Sequence, residues 1–431
     1  MPLAFLKGET AVGRYQIEGG RKLSGCVRVQ GSKNAVLPMM AASLLQRGTV
    51  ILRRCPRIDD VRCMEEILRY TGARTWWQGD DLFLDCSDIV TGEIPGAYAD
   101  KMRSSVFLLG SLLPRLGSAC VSYPGGCTIG LRPVDLHLEL LRGLGAELRE
   151  HRGGISARAG RLKGCRHRFP RVSVGATENG ILAAALAEGE TVLENCAREP
   201  EIFHLCRFLR KMGASIQGEG SGVICIQGKG ELCPAETAVP ADRIVAGTYL
   251  LAGAATRGKV ELKGAPAEEM EALLSVYRKM GGQYEVKSGT LFTDSSRLGE
   301  TPVRIATGCY PGFPTDLQSP LAAVCATIPG CSRIRETIFE DRYQAALEMR
   351  KLGARVQIQE GALLIEGGKL HGAKVSAGDL RGGAALILAG LAAQGVTEIE
   401  PSRFVERGYE HIETDLAALG GRIRRETQEL L

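Results

Sequence analysis

The sequence predicts an α/β protein built from six copies of one structural unit, arranged as two domains of three copies each. The first observation is a glycine that ends a helix-like segment six times, at intervals of about 70 residues. The second is a stretch of small apolar residues that recurs with the same period. The third is alternating polar and apolar sequence after the glycines, which is the periodicity of a β-strand.

The glycines of the first series are expected to end amphipathic helices. A residue in the left-handed conformation commonly closes a helix, and glycine adopts that conformation without steric cost. The series is Gly72, Gly145, Gly213, Gly281, Gly353 and Gly420. Alternating sequence follows every one of these glycines except the last, as in residues 355–359, and predicts a strand and a hairpin.

A second series of glycines follows stretches that are rich in Ala, Leu and Gly. Because these stretches are apolar on every side, each predicts a helix that is buried all round. They are residues 39–45, 106–113, 181–186, 248–254, 321–328 and 384–393, and they precede Gly48, Gly117, Gly189, Gly258, Gly330 and Gly395. Each unit therefore reads strand, buried helix, strand, amphipathic helix, strand, strand. We place one domain at residues 1–32 plus 241–431 and the other at 33–240, with a ligand cleft between them.

Composition limits the classes of function. The net charge of the 431 residues is only +5, without a basic tail, so the sequence gives no case for a nucleic-acid partner. Neither a signal peptide nor a run of about 18 apolar residues is present, so we expect no membrane span and a cytoplasmic location. The 14 cysteines form no Cys-x-x-Cys pair, which favours reduced thiols and gives no metal site.

Polar and charged residues stand at the start of all six predicted buried helices. Four of them are cations in equivalent places: Lys33, Arg103, Arg243 and Arg381. A cation opposes the positive end of the helix dipole, so this repeated placement predicts an anionic ligand where the helix starts converge. Asp242, Thr315 and Asp379 stand at the other starts or beside these cations. For these three, ordinary helix capping is an equal alternative.

The segment 123–133 has three glycines and two prolines, which predicts a loop that interrupts the third element of the second unit. Cys127 lies in this loop between Gly126 and Thr128. An inert exposed thiol is one interpretation. The other is a reactive thiol whose pKa is lowered from about 8.5 by Arg132 and neighbouring cations, and which can transfer a proton.

Nine short motifs resemble one family over residues 15–425. They are Gly31-Ser32-Lys33-Asn34, Lys101-Met102-Arg103, Pro124-Gly125-Gly126-Cys127-Thr128-Ile129-Gly130, Arg132-Pro133-Val134-Asp135-Leu136-His137, Ser173-Val174-Gly175-Ala176-Thr177, Arg198-Glu199-Pro200-Glu201, Phe313-Pro314-Thr315-Asp316, Asp379-Leu380-Arg381 and Arg407-Gly408-Tyr409-Glu410. In these motifs the chain resembles the UDP-N-acetylglucosamine 1-carboxyvinyltransferase family of enolpyruvyl transferases. The resemblance implies a two-domain inside-out α/β barrel built from six repeats.

The same resemblance implies a reaction. The enolpyruvyl group of phosphoenolpyruvate is expected to move to the 3-hydroxyl of UDP-N-acetylglucosamine, through a tetrahedral ketal that loses phosphate. This is the first committed step of peptidoglycan precursor synthesis, and it needs no cofactor or metal. Both partners of the chain would thus be small-molecule substrates.

The resemblance also implies roles for individual residues. Cys127 is expected to protonate the methylene carbon and to be the residue that fosfomycin alkylates, while Asp316 takes the proton of the sugar hydroxyl. Phosphoenolpyruvate would be bound by Lys33, Asn34, Arg132 and Arg407, with Lys33 and Arg407 counted as catalytic, and Arg342 and Arg381 would line the cleft. Residues expected to contact the UDP-sugar are Arg103, Arg132, Pro133, Val134, Asp135, Leu136, Arg171, Val172, Ser173, Val174 and Ile338.

Several positions depart from the family pattern. Arg171 stands where a lysine is common, which keeps the charge, and the sequence diverges after Glu178-Asn179. Asp100 stands where a basic residue is usual, and Val245 where an acidic residue is usual. Two alternatives therefore stay open. One is the 3-phosphoshikimate transferase of the same fold, which lacks the cysteine loop. The other is a catalytically silent paralogue that binds UDP-sugars.

Overall fold

A computed structural model describes residues 13–123, 125, 130, 133–299 and 301–427. Twenty-four strands are found in this part of the chain. They are β1 (Gly13–Glu18), β2 (Ser24–Arg28), β3 (Thr49–Arg53), β4 (Arg74–Gln78), β5 (Asp81–Asp85), β6 (Glu93–Ile94), β7 (Ser118–Ser122), β8 (Glu147–His151), β9 (Gly154–Arg158), β10 (Arg166–Arg168), β11 (Glu190–Glu194), β12 (Ser215–Gln217), β13 (Val223–Gln227), β14 (Glu236–Ala238), β15 (Lys259–Lys263), β16 (Gln283–Lys287), β17 (Thr290–Asp294), β18 (Arg304–Ala306), β19 (Cys331–Arg335), β20 (Arg355–Gln359), β21 (Ala362–Glu366), β22 (Lys374–Ser376), β23 (Val396–Glu400) and β24 (Arg422–Thr427).

Fourteen α-helices are found in the same part of the chain. They are α1 (Lys33–Ala42), α2 (Asp59–Thr71), α3 (Gly96–Ala99), α4 (Phe107–Leu116), α5 (Asp135–Gly143), α6 (Val174–Ala184), α7 (Pro200–Lys211), α8 (Arg243–Ala255), α9 (Glu271–Lys279), α10 (Gln318–Cys325), α11 (Gln344–Glu348), α12 (Leu380–Ala392), α13 (Arg403–Glu406) and α14 (Ile412–Ala418). Short 3-10 segments extend several of them, at Ser43–Leu45, Arg103–Val106, Ala267–Met270, Thr315–Leu317 and Met349–Leu352. Among the described residues, no helix is both long and apolar enough to span a bilayer.

The described strands form six four-stranded sheets, one for each predicted unit. In the sheet β10-β11-β13-β12, the first strand runs parallel to the second, and the hairpin strands pair antiparallel. Helix α6 connects β10 to β11, and helix α7 connects β11 to β12. The predicted order of strand, buried helix, strand, amphipathic helix, strand, strand is therefore confirmed.

Three strands leave their own unit to complete the sheet of another. Strand β2 pairs with β15, although it precedes α1, and β14 pairs with β3, although it precedes α8. The amino-terminal strand β1 lies between β23 and β24 of the last unit. The chain therefore passes twice between the two halves of the molecule, where Gly31 and Ala241 form an antiparallel bridge.

The buried apolar residues fall into two clusters. One cluster draws on residues 35–239 and the other on residues 15–29 and 244–419. In the first, α4 packs against α6 and α1; in the second, α8, α10 and α12 pack against each other. Every residue of α8 is buried, as expected for a helix that is apolar on all sides. The domain limits at 32/33 and 240/241 stay a proposal, which the two clusters support.

The predicted left-handed conformation is confirmed at all six glycines of the first series. All six glycines of the first series have φ between +86° and +110°, and five of the second series also have positive φ. The exception is Gly258, because Arg257 takes the left-handed conformation there, with φ of +56°. Two expectations were wrong. Strand β24 follows Gly420, and segment 123–133 follows a complete strand, β7, instead of interrupting it.

Candidate active site

The first group of predicted site residues meets around a carboxylate that the sequence did not single out. Asp60, in the first turn of α2, is only 4% exposed. Its Oδ2 lies 2.8 Å from Nζ of Lys33, and its Oδ1 accepts a hydrogen bond from Nε of Arg407 at 2.9 Å. Burial opposes ionisation of Asp60, but the charges of Lys33 and Arg407 outweigh it and lower the pKa below its usual range. The two cations are thus held close together by one shared anion.

Lys33 is placed by the start of helix α1. The side chain of Ser32 caps this helix by accepting from the backbone N–H of Ala35 at 3.3 Å. The backbone N–H of Lys33 donates to Oδ2 of Asp242 at 3.1 Å. Asp242 is itself the N-cap of α8 and accepts from the N–H groups of Ile244 and Val245. Two helix starts, one from each half of the molecule, therefore share one carboxylate.

Asp316 forms a second charged group with Arg342 and Arg381. Its Oδ1 accepts from Nη2 of Arg342 at 2.9 Å, and its Oδ2 lies 3.2 Å from Nε and 3.1 Å from Nη2 of Arg381. Both arginine side chains are almost wholly buried, while about a quarter of the Asp316 side chain is exposed. Burial opposes ionisation of Asp316, but the two guanidinium charges prevail and hold its pKa well below the usual range.

The arginines are fixed by further partners. Nη1 of Arg342 donates to the hydroxyl of Thr315 at 2.8 Å, and that hydroxyl donates to Glu336 at 2.9 Å. The guanidinium of Arg381 lies over the ring of Tyr409, 5.4 Å from its centroid. Nε of Arg342 and Nη1 of Arg381 are buried and make no hydrogen bond of good geometry to the described residues. Buried donors of this kind usually have a partner, so they indicate room for an anion.

The two charged groups are neighbours. A Cβ placed on Gly408 would lie 2.7 Å from Cδ2 of Leu380 and 3.4 Å from Cδ of Lys33. Gly408 therefore lies between Lys33 at the start of α1 and Leu380 at the start of α12. Arg407 before it and Tyr409 after it reach the two groups separately, and the charge of Lys33 also acts on Asp316.

A third cluster of predicted site residues lies within residues 103–179, in the same half of the molecule as Lys33 and Asp60. Nη2 of Arg171 donates to both carboxylate oxygens of Asp135, at 2.7 and 2.8 Å, on the exposed surface. Nη2 of Arg103 donates to the carbonyl of Pro133 at 3.2 Å. His137 is buried beside Asn179, and burial together with the Arg103 charge lowers its pKa to about 3. This imidazole is therefore neutral at physiological pH.

The remaining predicted contact residues vary in exposure. Leu136 and Val134 are buried, Pro133 and Ile338 are exposed, and the intermediate ones are Asn34, Val172, Ser173 and Val174. Ser173 caps α6 by accepting from the N–H of Ala176 at 3.3 Å.

Cys127 and Arg132 lie outside the described residues, so their predicted roles stay predictions. Two glycines of the same segment are described. A Cβ on Gly125 would lie 1.9 Å from the carbonyl oxygen of Asp100, so the beginning of the segment is pressed against that backbone. A Cβ on Gly130 would lie 2.3 Å from Oε2 of Glu340. Glu340 stands between Ile338 and Arg342 in the chain. Gly130 therefore lies against the half of the molecule that carries Asp316.

The prediction that Arg243 faces an anionic ligand is wrong. Its guanidinium is buried and donates to both carboxylate oxygens of Glu201 in α7, at 3.1 and 3.2 Å. The helix dipole is offset at this start by the N-cap Asp242. Capping is also the role of Asp379, which accepts from the N–H groups of Arg381 and Gly382. Thr315 is not a cap, because Pro314 holds that position.

Sequence reasoning missed Asp60 and Glu336, and it gave no role to Glu201, although Glu201 stands in the motif 198–201. Each of the three holds a buried cation or hydroxyl. An acidic residue in the first turn of an amphipathic helix is ordinary, so Asp60 carried no distinctive signal. Among the described residues, no group of three His, Cys, Asp or Glu side chains is placed to hold a metal ion.

Solved structures with the same fold are enolpyruvyl transferases. The enolpyruvyl transferase NikO from Streptomyces tendae superimposes with a TM-score of 0.88 at 26% identity, covering 97% of this chain and 100% of that one. An EPSP synthase from Acinetobacter baumannii superimposes with a TM-score of 0.73 at 20% identity, covering 96% and 100%, and shows likeness of fold alone. The predicted fold class is thereby confirmed.

Comparison of sequences gives the family. Residues 17–416 match the family described as EPSP synthase (3-phosphoshikimate 1-carboxyvinyltransferase). UDP-N-acetylglucosamine 1-carboxyvinyltransferase 2 of Caldanaerobacter subterraneus subsp. tengcongensis is 42% identical over 415 residues, covering 96% of this chain and 100% of that protein. UDP-N-acetylglucosamine 1-carboxyvinyltransferase of Anaeromyxobacter dehalogenans is 45% identical over 416 residues, covering 95% and 98%. The chain therefore belongs to the enolpyruvyl transferase family, in the group of the UDP-N-acetylglucosamine 1-carboxyvinyltransferases.

Proposed function

We propose that this protein transfers the enolpyruvyl group of phosphoenolpyruvate to the 3-hydroxyl of UDP-N-acetylglucosamine and releases phosphate. The observation that carries the proposal is the grouping of Lys33, Arg407, Arg342 and Arg381 around two carboxylates, in a chain whose relatives bear that enzyme name. Phosphoenolpyruvate carries a phosphate and a carboxylate, and two neighbouring sets of cations suit its two anionic ends.

Binding of the donor is the first task of these cations. Lys33 and Arg407 are close enough to share one carboxylate, so they can share a phosphate of similar charge. Arg342 and Arg381 retain buried N–H groups that make no hydrogen bond of good geometry to the described residues, and these groups can donate to the second anionic end. Such preorganised cations stabilise the charge that the tetrahedral intermediate and the departing phosphate carry.

Proton transfer is assigned to two residues, each of which acts on a different substrate. Cys127 would deliver a proton to C3 of the donor, and Asp316 would take the proton of the sugar 3-hydroxyl as its oxygen attacks C2. Asn34, one residue after Lys33, would contact the donor. Collapse of the ketal would then expel phosphate while C3 returns a proton to the Cys127 thiolate, and the carbon–carbon double bond returns.

The UDP-sugar would bind along the half of the molecule that carries Arg103, Asp135 and Arg171. Arg103 is a suitable partner for a phosphate of the diphosphate, since a guanidinium binds phosphate through two hydrogen bonds. The neutral His137 can take part in hydrogen bonds there without adding charge. Because both substrates are phosphorylated metabolites, we propose a cytoplasmic location and a place in peptidoglycan precursor synthesis.

The rival acceptor is 3-phosphoshikimate, which the name of the matching family model mentions. Relatives at 42–45% identity carry the UDP-N-acetylglucosamine name, whereas the similar EPSP synthase structure shares only 20% identity. The deciding experiment is release of phosphate from phosphoenolpyruvate with either acceptor. Turnover with UDP-N-acetylglucosamine alone supports the proposal, and turnover with 3-phosphoshikimate alone overturns it. Tight UDP-sugar binding without turnover would favour the silent paralogue.

The role of Cys127 has its own test. Replacing Cys127 by Ala should abolish turnover while UDP-sugar binding persists, because the acid is lost and the fold is not. Cys120→Ala is the matched control, since Cys120 stands on β7 a few residues before the same loop. Wild-type rates in Cys127→Ala would assign the acid role to another group.

A further inference from the structure

The carboxylate of Asp316 is a poor proton acceptor in the site as it stands. Both of its oxygens are engaged by guanidinium groups, at 2.9 Å from Arg342 and at 3.1 and 3.2 Å from Arg381. Among the described residues, other charged side chains lie in the same surroundings, and one of them is the buried carboxylate of Asp242, whose charge acts on Arg381. Lys33 and Arg243 are cations of neighbouring helix starts, and Glu336 is an anion reached through Thr315. Cations predominate, so the ionised form of Asp316 is strongly favoured.

The same two arginines have N–H donors that are not bonded to Asp316. Nε of Arg342 and Nη1 of Arg381 are buried and lack hydrogen bonds of good geometry to the described residues, and Arg381 is only 2% exposed. A carboxylate or phosphate entering here would accept from these donors. It would also add a negative charge beside Asp316.

We propose that the anionic donor itself activates Asp316: phosphoenolpyruvate competes for Arg342 and Arg381 and so turns Asp316 into a base only when the donor is in place. This inference rests on the proposed function. Arg342 and Arg381 then act as positioning residues that couple donor binding to proton transfer. The proton of the 3-hydroxyl passes to Asp316 as the O–C2 bond forms, so the hydroxyl is activated only when a carbon is present for it to attack.

Two physical effects act in the same direction when the donor binds. Competition for the guanidinium groups weakens the hydrogen bonds that favour the ionised carboxylate. The nearby negative charge of the donor disfavours ionisation directly. Both effects raise the affinity of Asp316 for a proton, and neither requires a movement of the backbone.

The experiment is a carbon-13 NMR titration of the full chain with labelled aspartate carboxyls. The Asp316 signal is assigned by its loss in Asp316→Asn, and the Cys127→Ala background prevents a covalent adduct with the donor. Without ligand, Asp316 should stay ionised over the whole pH range in which the protein is folded. With saturating phosphoenolpyruvate alone, its midpoint should rise towards or above the ordinary value of about 3.9. An identical signal in both titrations would overturn the proposal.

A pair of variants tests the part played by the arginines. Arg342→Gln should raise the midpoint without ligand and reduce the further rise on adding phosphoenolpyruvate. Arg342→Lys serves if the glutamine variant does not fold, and it should fall between that pattern and the wild type. Arg333→Gln is the control, because Arg333 is an exposed arginine on β19, and it should titrate as the wild type does. If Asp316 titrates in both Arg342 variants as it does in the wild type, Arg342 has no part in the coupling.

Failure of the proposed function would look different. A donor-induced rise in the midpoint, without phosphate release by the wild type from both substrates, would sustain the coupling and reject the reaction. Phosphate release without any rise would sustain the reaction and reject the coupling.

Discussion

At the scale of single residues, Asp60 and Asp316 each hold two cations in place. The difference between them is burial, since Asp60 is almost fully enclosed whereas Asp316 is partly open. Without Asp60, Lys33 and Arg407 would repel each other at short range in a poorly hydrated place. We therefore regard Asp60 as the residue that keeps these two cations together until an anionic ligand arrives.

The first prediction concerns removal of this charge. Asp60→Asn should lower the free energy of unfolding by about 3 kcal/mol, because it leaves two partly buried cations without their anion. Saturating phosphoenolpyruvate should restore part of this loss, since its charge replaces that of Asp60. Urea denaturation with and without the donor measures both effects. The control is Asp59→Asn, because among the described residues Asp59 pairs with the exposed Arg62, and it should change stability little.

The same pair of residues predicts a dependence on pH. The pKa of Asp60 is lowered in the folded protein, so its stabilising contribution is present above the unfolded value of about 3.9 and is lost as pH falls through the folded value. The stability difference between wild type and Asp60→Asn should therefore be full at neutral pH and shrink below about pH 4. A difference that stays constant down to the acid transition would contradict this account.

Part of the site could be predicted from the residues and part could not. Lys33 and Arg381 stood out because a cation at a helix start is unfavourable without an anion nearby. Arg243 gave the same signal for a different reason, since its partner is the buried Glu201. Partners such as Asp60 depend on which distant segments meet, and a single sequence contains no local pattern for that.

At the scale of elements, the starts of the buried helices carry the site. Asp242 caps α8 and also accepts from the backbone N–H of Lys33 at the start of α1. Its full burial raises its pKa, although the Arg381 charge and three backbone N–H groups act against that rise. A single side chain therefore sets the relative position of two helices from different halves of the molecule.

The second prediction follows from this shared cap. Asp242→Ala should cost more than an ordinary cap, which is worth about 1 kcal/mol, because three hydrogen bonds are lost at two helix starts. Ser173→Ala is the comparison, since Ser173 caps only α6 through one such bond. Thermal and urea denaturation of both variants measure the difference. Equal losses would show that the bond to Lys33 adds nothing.

The fold was predictable at this scale because its signals are local. Residues 355–359 alternate in polarity and form β20, and Gly353 before them has φ of +92°. The exchange of β2 and β14 between units was not predictable, because each of these short strands would satisfy either sheet by its local sequence. Gly258 shows the same limit, since its neighbour Arg257 took the left-handed position.

At the scale of the whole molecule, the two halves are joined by two groups of charged contacts. In the first group, Asp60 pairs with Arg407. In the second group, residues at the start of α7 make the contacts: Glu199 accepts from the backbone N–H of Tyr310, Glu201 pairs with Arg243, and His204 contacts Glu269. The Glu201–Arg243 pair is the most deeply buried of this second group. A buried ion pair costs more desolvation than an exposed one, so its two members depend strongly on each other.

The last prediction uses that mutual dependence. Arg243→Met should destabilise the protein by about 3–5 kcal/mol, because Glu201 is left buried without its cation, near Glu199 and Glu178. Glu178 is already affected by those charges, since burial and the neighbouring Glu201 and Glu199 raise its pKa well above the usual value. Glu201→Leu should cost a similar amount by leaving the guanidinium unpaired.

The double variant Glu201→Leu/Arg243→Met should be more stable than either single variant, because two apolar side chains of similar size can pack where the ion pair was. Urea denaturation of the four proteins gives the coupling energy directly. The exposed ion pair of Arg161 and Glu188, changed to Gln singly and together, serves as the comparison, and it should show little coupling. Losses that simply add in the double variant would mean that the pair does not couple the two halves. In that case the two halves would depend for their relative position on other contacts, such as those of Arg407 with Asp60 and of His204 with Glu269.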